Sequence, residues 1–269
     1  MEPRAGVGVI GGSGFYELLA DAEELDLRTP YGPPSAPLTV GEIGGVAVAF
    51  LPRHGRRHQL APHQIPYRAN LWALAAAGVS RVLAPCAAGS LRPDVHPGQM
   101  VVLDQLVDRT WGRADTYFDQ GSVNHITFAD PYCPELRPLA AEAGRAGGFE
   151  VHDGGTIVVI QGPRFSTRAE SAWFRSAGWD VIGMTQYPEA ALARELGLCY
   201  AAMALITDYD TGVEGVADIE AVSMDEVFRV LQSMVDRTRA VIAGLLPSVP
   251  ARRSCRCGSG TTAGPLSSE

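Results

Sequence analysis

VGVIGGSGF, residues 7–15, sets a continuous apolar run, Val7 to Ile10, directly against Gly11-Gly12-Ser13-Gly14. So short a run, closed by glycines, reads as a buried strand entering a tight turn. Gly6-x-Gly8-x-x-Gly11 also has the form of a dinucleotide fingerprint. Its first glycines, however, fall before and inside the strand, where they do not open a phosphate-binding turn. A nicotinamide-dependent oxidoreductase is therefore the weaker reading of this turn.

Strand-like and helix-like segments alternate outward from there. Leu38 to Ile43 and Val46 to Leu51, joined by Gly44-Gly45, predict a hairpin. Helices are predicted over Gln64 to Ala77, Glu135 to Ala146, Ala169 to Ala177 and Pro188 to Leu196. Strands are predicted over Val82 to Ala87, Met100 to Val107, Thr156 to Gln161, Val181 to Met184 and Tyr200 to Thr207. Ser223-Met224-Asp225-Glu226 has the form of a capping box opening a long amphipathic helix to about Leu246. The alternation implies a single-domain α/β fold over 1–248, with a mixed sheet flanked by helices. From 249 to 269 the chain is rich in Pro, Gly, Ser and Thr and predicts a mobile polar tail.

Composition excludes several function classes. With 269 residues, of which 46% are hydrophobic, the chain can bury a sizeable core without covalent staples. A net charge of -8 leaves no general basic face for nucleic acid or a membrane surface, although a small anion needs only a local cluster. No apolar run approaches the roughly 18 residues of a membrane span, and the opening MEPRAGVGVI is too short for a signal peptide, so a cytoplasmic protein is expected. The five cysteines are sparse and odd in number, which argues against a disulfide framework. Cys255 and Cys257 are the only close pair, and the tail offers no second pair and no histidine, so no metal site is expected.

In such folds ligands gather at the carboxyl ends of strands. Those ends carry Gly11-Gly12-Ser13-Gly14, Arg53-His54-Gly55, Cys86-Ala87-Ala88-Gly89-Ser90, Gly162-Pro163-Arg164-Phe165-Ser166, Met184-Thr185 and Asp208-Tyr209-Asp210. The glycine turn lets backbone N–H groups approach an anion, and Ser13 adds a hydroxyl donor without bulk. Arg53 and His54 combine a guanidinium fork with an imidazole, a pairing suited to phosphate; Arg57 and His58 read as the solvated part of that loop. Asp208 and Asp210, taken alone, fit solvated caps of a turn as well as an acid-base pair.

VIGGSGF, RHGRRH, AAGSL, QGPRFSTRAE, MTQYPEA and ITDYD occur in the order and spacing of the 5'-methylthioadenosine phosphorylases, and from about Val7 to Pro247 the chain resembles that branch of the trimeric purine nucleoside phosphorylases. The resemblance implies a partly barrel-like sheet and a homotrimer with sites at subunit interfaces. It implies phosphorolysis of 5'-methylthioadenosine to adenine and 5-methylthioribose 1-phosphate, with inorganic phosphate as co-substrate and no other cofactor. Phosphate would be held by Ser13, Arg53, His54, Thr185 and the backbone of Ala87. Cys86 stands where relatives usually carry a hydroxyl; a thiol is the weaker donor. Met184 would pack beneath the ribose and Phe165 against the purine, and Ser166 stands where 6-oxopurine-specific relatives carry a glutamate.

The resemblance also turns Asp208 and Asp210 toward the base edge. A leaving adenine accumulates negative charge at N7, where Asp208 would donate a proton while Asp210 accepts from the 6-amino group. Met224, Val227 and Phe228 lie on one helix face at i, i+3, i+4 spacing and would meet the 5' substituent, with His125 contributed by a neighbouring subunit. Phe228 is bulkier than the leucine common in relatives. A phosphorylase of 5'-methylthioinosine or of a 5'-halogenated 5'-deoxyadenosine is the nearest rival, and a non-catalytic nucleoside-binding protein the rival from another class.

Overall fold

A computed structural model of the chain describes residues 4–19, 22–119, 121, 123–212 and 222–259. In chain order the elements are β1 (Val7–Gly11), β2 (Glu23–Leu25), β3 (Leu38–Ile43), β4 (Val46–Pro52), α1 (Tyr67–Ala76), β5 (Arg81–Ser90), β6 (Met100–Val102), β7 (Gln105–Arg109), α2 (Leu136–Ala146), β8 (Val151–Asp153), β9 (Thr156–Ile160), α3 (Arg168–Ser176), β10 (Val181–Gly183), α4 (Gln186–Glu195), β11 (Cys199–Asp208) and α5 (Met224–Leu245). All eleven strands join one mixed sheet, ordered β2-β3-β4-β1-β5-β10-β9-β7, from which β11, β6 and β8 branch at β5. The expected mixed α/β architecture is present, and the branch at β5 is its departure from a flat open sheet.

The branch locates the site. β1 runs parallel to β4 and β5, and β11 runs parallel to β5, so the carboxyl ends of these four strands share one edge. β10 meets β5 antiparallel, pairing Val181 with Ser90 and Ile182 with Gly89. The turn out of β10 therefore delivers Met184 and Thr185 beside Ala87 and Cys86. β9 runs parallel to β10 and brings residues 160–165 to the same place.

The strands alternate between two core layers. Ile10 faces the layer covered by α1 and α4, while Val7 and Val9 face the layer covered by α2 and α5. Both faces of the central strands are thus withdrawn from water, which is why β1, β5 and β11 read as near-continuous apolar runs.

The departures from the predicted elements have local causes. Met100 to Val107 is two strands, β6 and β7, each pairing with a different neighbour. The helix predicted from Gln64 starts at Tyr67 because Pro66 occupies its N-cap. Only half of the expected capping box forms: Ser223 accepts from the Glu226 N–H at 3.3 Å, while the Glu226 carboxylate pairs with Arg229. The predicted mobile tail needs correction for residues 249–259. Arg253 donates to the Gly197 carbonyl at 2.6 Å, the Cys255 N–H donates to Glu135 at 3.0 Å, and Cys257 is buried. Residues 260–269 of that tail lie outside the described residues. No described helix is long and apolar enough to cross a membrane.

Candidate active site

A cavity of about 420 Å³ opens at the shared strand edge. Ser13, Arg53, His54, Cys86, Ala87, Phe165, Met184, Thr185, Asp208, Asp210, Met224 and Val227 all line it, so most of the residues singled out from the sequence meet in one place. Ser166 is not among the lining residues, though its neighbour Phe165 is. Phe228 reaches the site indirectly, its ring lying edge-on to His58 with centroids 5.7 Å apart. His125 sits in an exposed segment outside its own chain's cavity.

Two glycines make the close approaches possible. A Cβ on Gly12 would stand 2.9 Å from the Pro85 carbonyl oxygen and 3.1 Å from Arg53 Nη1, so any side chain there would wedge the turn away from the arginine. A Cβ on Gly89 would stand 2.7 Å from Asp208 Oδ1. Opposite Gly89, the β5–β11 ladder slips by one residue between Ile206 and Asp208, a bulge that re-aims the aspartate.

Arg53 and His54 require correction. The Arg53 side chain is fully buried and its fork is already engaged: Nε and Nη2 donate to the two Glu189 oxygens at 2.7 and 2.8 Å, and Nη1 donates to the Pro85 carbonyl at 3.1 Å. Burial opposes the guanidinium charge, but Glu189 overcomes it and holds the pKa above the ordinary arginine value. Nη1 carries a second N–H with no hydrogen-bond partner among the described residues, and Arg53 lines the cavity. His54 is buried, and its pKa is pushed down to about 3 by that burial, its hydrogen bond to Leu60 and the Arg53 charge working in opposite senses beneath it. The ring is neutral at pH 7. Nδ1 lies 2.8 Å from the Leu60 carbonyl, which can only accept, so Nδ1 carries the hydrogen and Nε2 is an acceptor. The expected cationic cluster is therefore a compensated ion pair beside a neutral imidazole. His58, expected in solvent, lines the cavity and stacks on His54 at 4.4 Å between centroids.

Ser13 and Thr185 bring hydroxyls to the cavity, where Gly12 and Ala87 line it beside them. Cys86 is buried on β5, and burial pushes its thiol up to about 12, so it stays protonated.

The two aspartates are held differently. Asp208 Oδ2 accepts from the Thr207 hydroxyl at 2.6 Å and Oδ1 from the Asp210 N–H at 2.7 Å. Burial nevertheless raises its pKa above the usual carboxylate range. Asp210 adopts φ +53°, a left-handed conformation that aspartate tolerates better than most residues. Burial, and after it the Asp208 charge, push its pKa up to about 6. Asp210 Oδ2 and Ser166 Oγ are both buried without a hydrogen-bond partner among the described residues. Buried atoms of that kind mark a place where a ligand's polar edge fits. Asp210 is buried and Asp208 half-buried, which sets the pair apart from freely solvated caps of a turn.

Sequence reasoning missed Glu189 and Arg113. Glu189 carried no local signal, since α4 also holds Gln186, Arg194 and Glu195 and its partner Arg53 is 136 residues away. Arg113 carried none: it staples two loops by donating to the Met184 and Gln161 carbonyls, both at 2.9 Å, from a segment with no predicted structure.

A sequence model described as Phosphorylase superfamily matches residues 6–246, and the chain belongs to that family. Among its relatives, an S-methyl-5'-thioadenosine phosphorylase of Mycolicibacterium smegmatis is 57% identical over 250 residues, covering 93% of each chain. A purine nucleoside phosphorylase of Streptomyces coelicolor is 54% identical over 266 residues, covering 95% of this chain and 94% of its own. Among solved structures, methylthioadenosine phosphorylase from Schistosoma mansoni in complex with adenine superposes with a TM-score of 0.86 at 37% identity, covering 93% of both chains.

Proposed function

We propose that this chain is a phosphate-dependent pentosyltransferase that cleaves 5'-methylthioadenosine to adenine and 5-methylthioribose 1-phosphate. One observation carries the reading: a single cavity joins the buried Asp208/Asp210 pair to an anion-binding set of Ser13, Arg53, His54, Thr185 and the Ala87 backbone. The names of its relatives agree, and a solved structural neighbour is a mutant of the Schistosoma enzyme in complex with methylthioadenosine.

In this reading the anomeric carbon lies between the two halves of the cavity. As the glycosidic bond breaks, positive charge grows on the ribose and negative charge on the purine. Phosphate, held against the ribose over Met184, stabilises the first charge and then attacks it. His54 Nε2 accepts a hydrogen bond from a phosphate O–H, since the neutral ring has no donor to offer there. The aspartate pair supplies a proton to N7 and accepts from the 6-amino group, Ser166 completes the base edge, and Phe165 covers the ring. An asparagine would suit a 6-oxo base better than either aspartate, because it can donate to O6. Met224 and Val227 wall the 5' end apolar, and Phe228 buttresses it through His58. The reaction draws on inorganic phosphate as second substrate and on no organic cofactor.

Rates measured side by side on methylthioadenosine, methylthioinosine and adenosine test the substrate assignment. Methylthioadenosine is expected to be cleaved fastest; faster cleavage of the inosine compound would overturn the base assignment. The neighbour named only as a purine nucleoside phosphorylase makes adenosine the informative comparison for the 5' group. Cys86→Ser, which supplies a hydroxyl donor of similar size, is expected to lower the KM for phosphate roughly tenfold, since a bond to a charged group contributes about 1.5–3 kcal/mol. An unchanged phosphate KM would show that residue 86 does not reach the anion.

The homotrimer and the cytoplasmic location belong to the same proposal. His125 of one subunit completes its neighbour's 5' pocket in this arrangement. Trp111 and Val123 support it as large apolar side chains that are 73% and 79% exposed in the single chain. Light scattering reads the assembled mass directly.

A further inference from the structure

The Cys-x-Cys pair that seemed partnerless in the sequence acquires two partners through the fold. Cys133, just before α2, and Cys199, the first residue of β11, bring their sulfurs to those of Cys255 and Cys257. All four Sγ atoms lie within 4.8 Å of one another, with Cys199 and Cys255 3.3 Å apart. Four thiolates around zinc at about 2.3 Å stand about 3.8 Å apart along the edges of a tetrahedron, so the cluster has the dimensions of that shell. Each sulfur is near all three others, which is what convergence on one ion requires.

The surroundings are built to hold the four in place. The Cys133 N–H donates to the Tyr200 carbonyl at 2.8 Å, tying the two body cysteines together. Glu135 binds the hydroxyl and N–H of Ser254 and the N–H of Cys255. Arg253 reaches back to the Gly197 carbonyl, two residues before Cys199. These bonds pin the tail's Cys-x-Cys turn against the body, and Cys133, Cys199 and Cys257 are buried.

A second observation concerns charge. A divalent ion with four thiolates carries a net charge of about -2 and needs cations nearby when buried. Arg81 pairs with Cys199 across the β5–β11 ladder, which puts both side chains on the same face of the sheet. The arginine is 4% exposed, and its Nε and Nη2 have no hydrogen-bond partner among the described residues. A buried arginine with unused donors, on the strand position paired with Cys199, supplies the kind of countercharge that a tetrathiolate centre calls for.

We propose that Cys133, Cys199, Cys255 and Cys257 form a structural zinc site that clamps the segment after α5 onto the body of the fold. Binding displaces the four thiol protons to solvent and forms four Zn–S bonds, with no change in oxidation state. The site is closed, leaving no position for substrate, and its role is to hold the tail.

The test is the metal content of the full-length protein purified under reducing conditions without chelator, then exposed to zinc sulfate and desalted. About one zinc per chain is expected, since four protein ligands close a structural site. The Cys255→Ser/Cys257→Ser double variant is expected to retain at least tenfold less, in line with the 10–100-fold cost of damaging even the outer shell of a metal site. Its phosphorolysis rate serves as the check that it has folded. Cobalt substitution adds a readout that does not depend on variants: tetrahedral thiolate coordination gives intense visible absorption, and octahedral adventitious cobalt does not. Wild-type protein that holds no zinc overturns the proposal, whether intact mass finds four free thiols or two disulfides in place of the cluster.

Discussion

Replacing Asp208 by alanine is expected to lower kcat/KM for 5'-methylthioadenosine by about 100-fold or more, the usual cost of losing a general acid. The loss should appear in kcat with ligand binding largely retained, because the group acts on charge that develops at N7 in the transition state. A variant that binds adenine but keeps its full rate would remove the aspartates from the chemistry and leave a binding role. The pH profile carries the same assignment with a definite sign. Burial raises the pKa of both aspartates, that of Asp210 to about 6, so the proton each can hold is lost as pH rises. An acid is active while protonated, so kcat/KM is expected to fall on the alkaline side through the apparent pKa of the pair. Asp210→Asn is expected to displace that limb, because it removes one of two coupled titrating groups.

Glu189→Gln is expected to destabilise the fold by about 3–5 kcal/mol in urea unfolding, the typical cost of stripping one partner from a buried ion pair. Both side chains of the Arg53/Glu189 pair are fully buried, so solvent cannot take the place of the missing carboxylate. Added phosphate should stabilise this variant more than the wild-type protein, because an anion in the cavity would offset the uncompensated guanidinium. A loss below about 1 kcal/mol would mean that the pair behaves like an exposed one, against its burial. A stability difference indifferent to phosphate would separate Arg53 from the anion site.

The contrast between these two acids shows where the sequence was informative. Asp208 ends an apolar strand, and its neighbours Thr207 and Asp210 belong to the same short motif, so the local chain already carries its hydrogen-bond partners. Arg53 and Glu189 are 136 residues apart, and no spacing rule predicts that one neutralises the other. The same limit explains His54. Its motif announced an anion site, but the neutral state follows from burial, and the tautomer from Leu60, both of which only the folded loop supplies. The tail failed for a different reason. Its composition is that of a mobile segment, yet residues 253–257 are held by Glu135, Gly197 and a cysteine cluster whose other members lie over 50 residues away in sequence. Strand and helix positions, by contrast, followed from period and punctuation, and the erring boundaries were those where a proline or a change of strand partner intervened.

The central claim is that phosphate, not water, takes the pentosyl group. Phosphorus-31 NMR of purified protein with 5'-methylthioadenosine and inorganic phosphate reads this directly. A sugar 1-phosphate resonance is expected to grow in step with free adenine, with no adenine released when phosphate is left out. Adenine released at the same rate without phosphate, or no cleavage with it, would contradict the account.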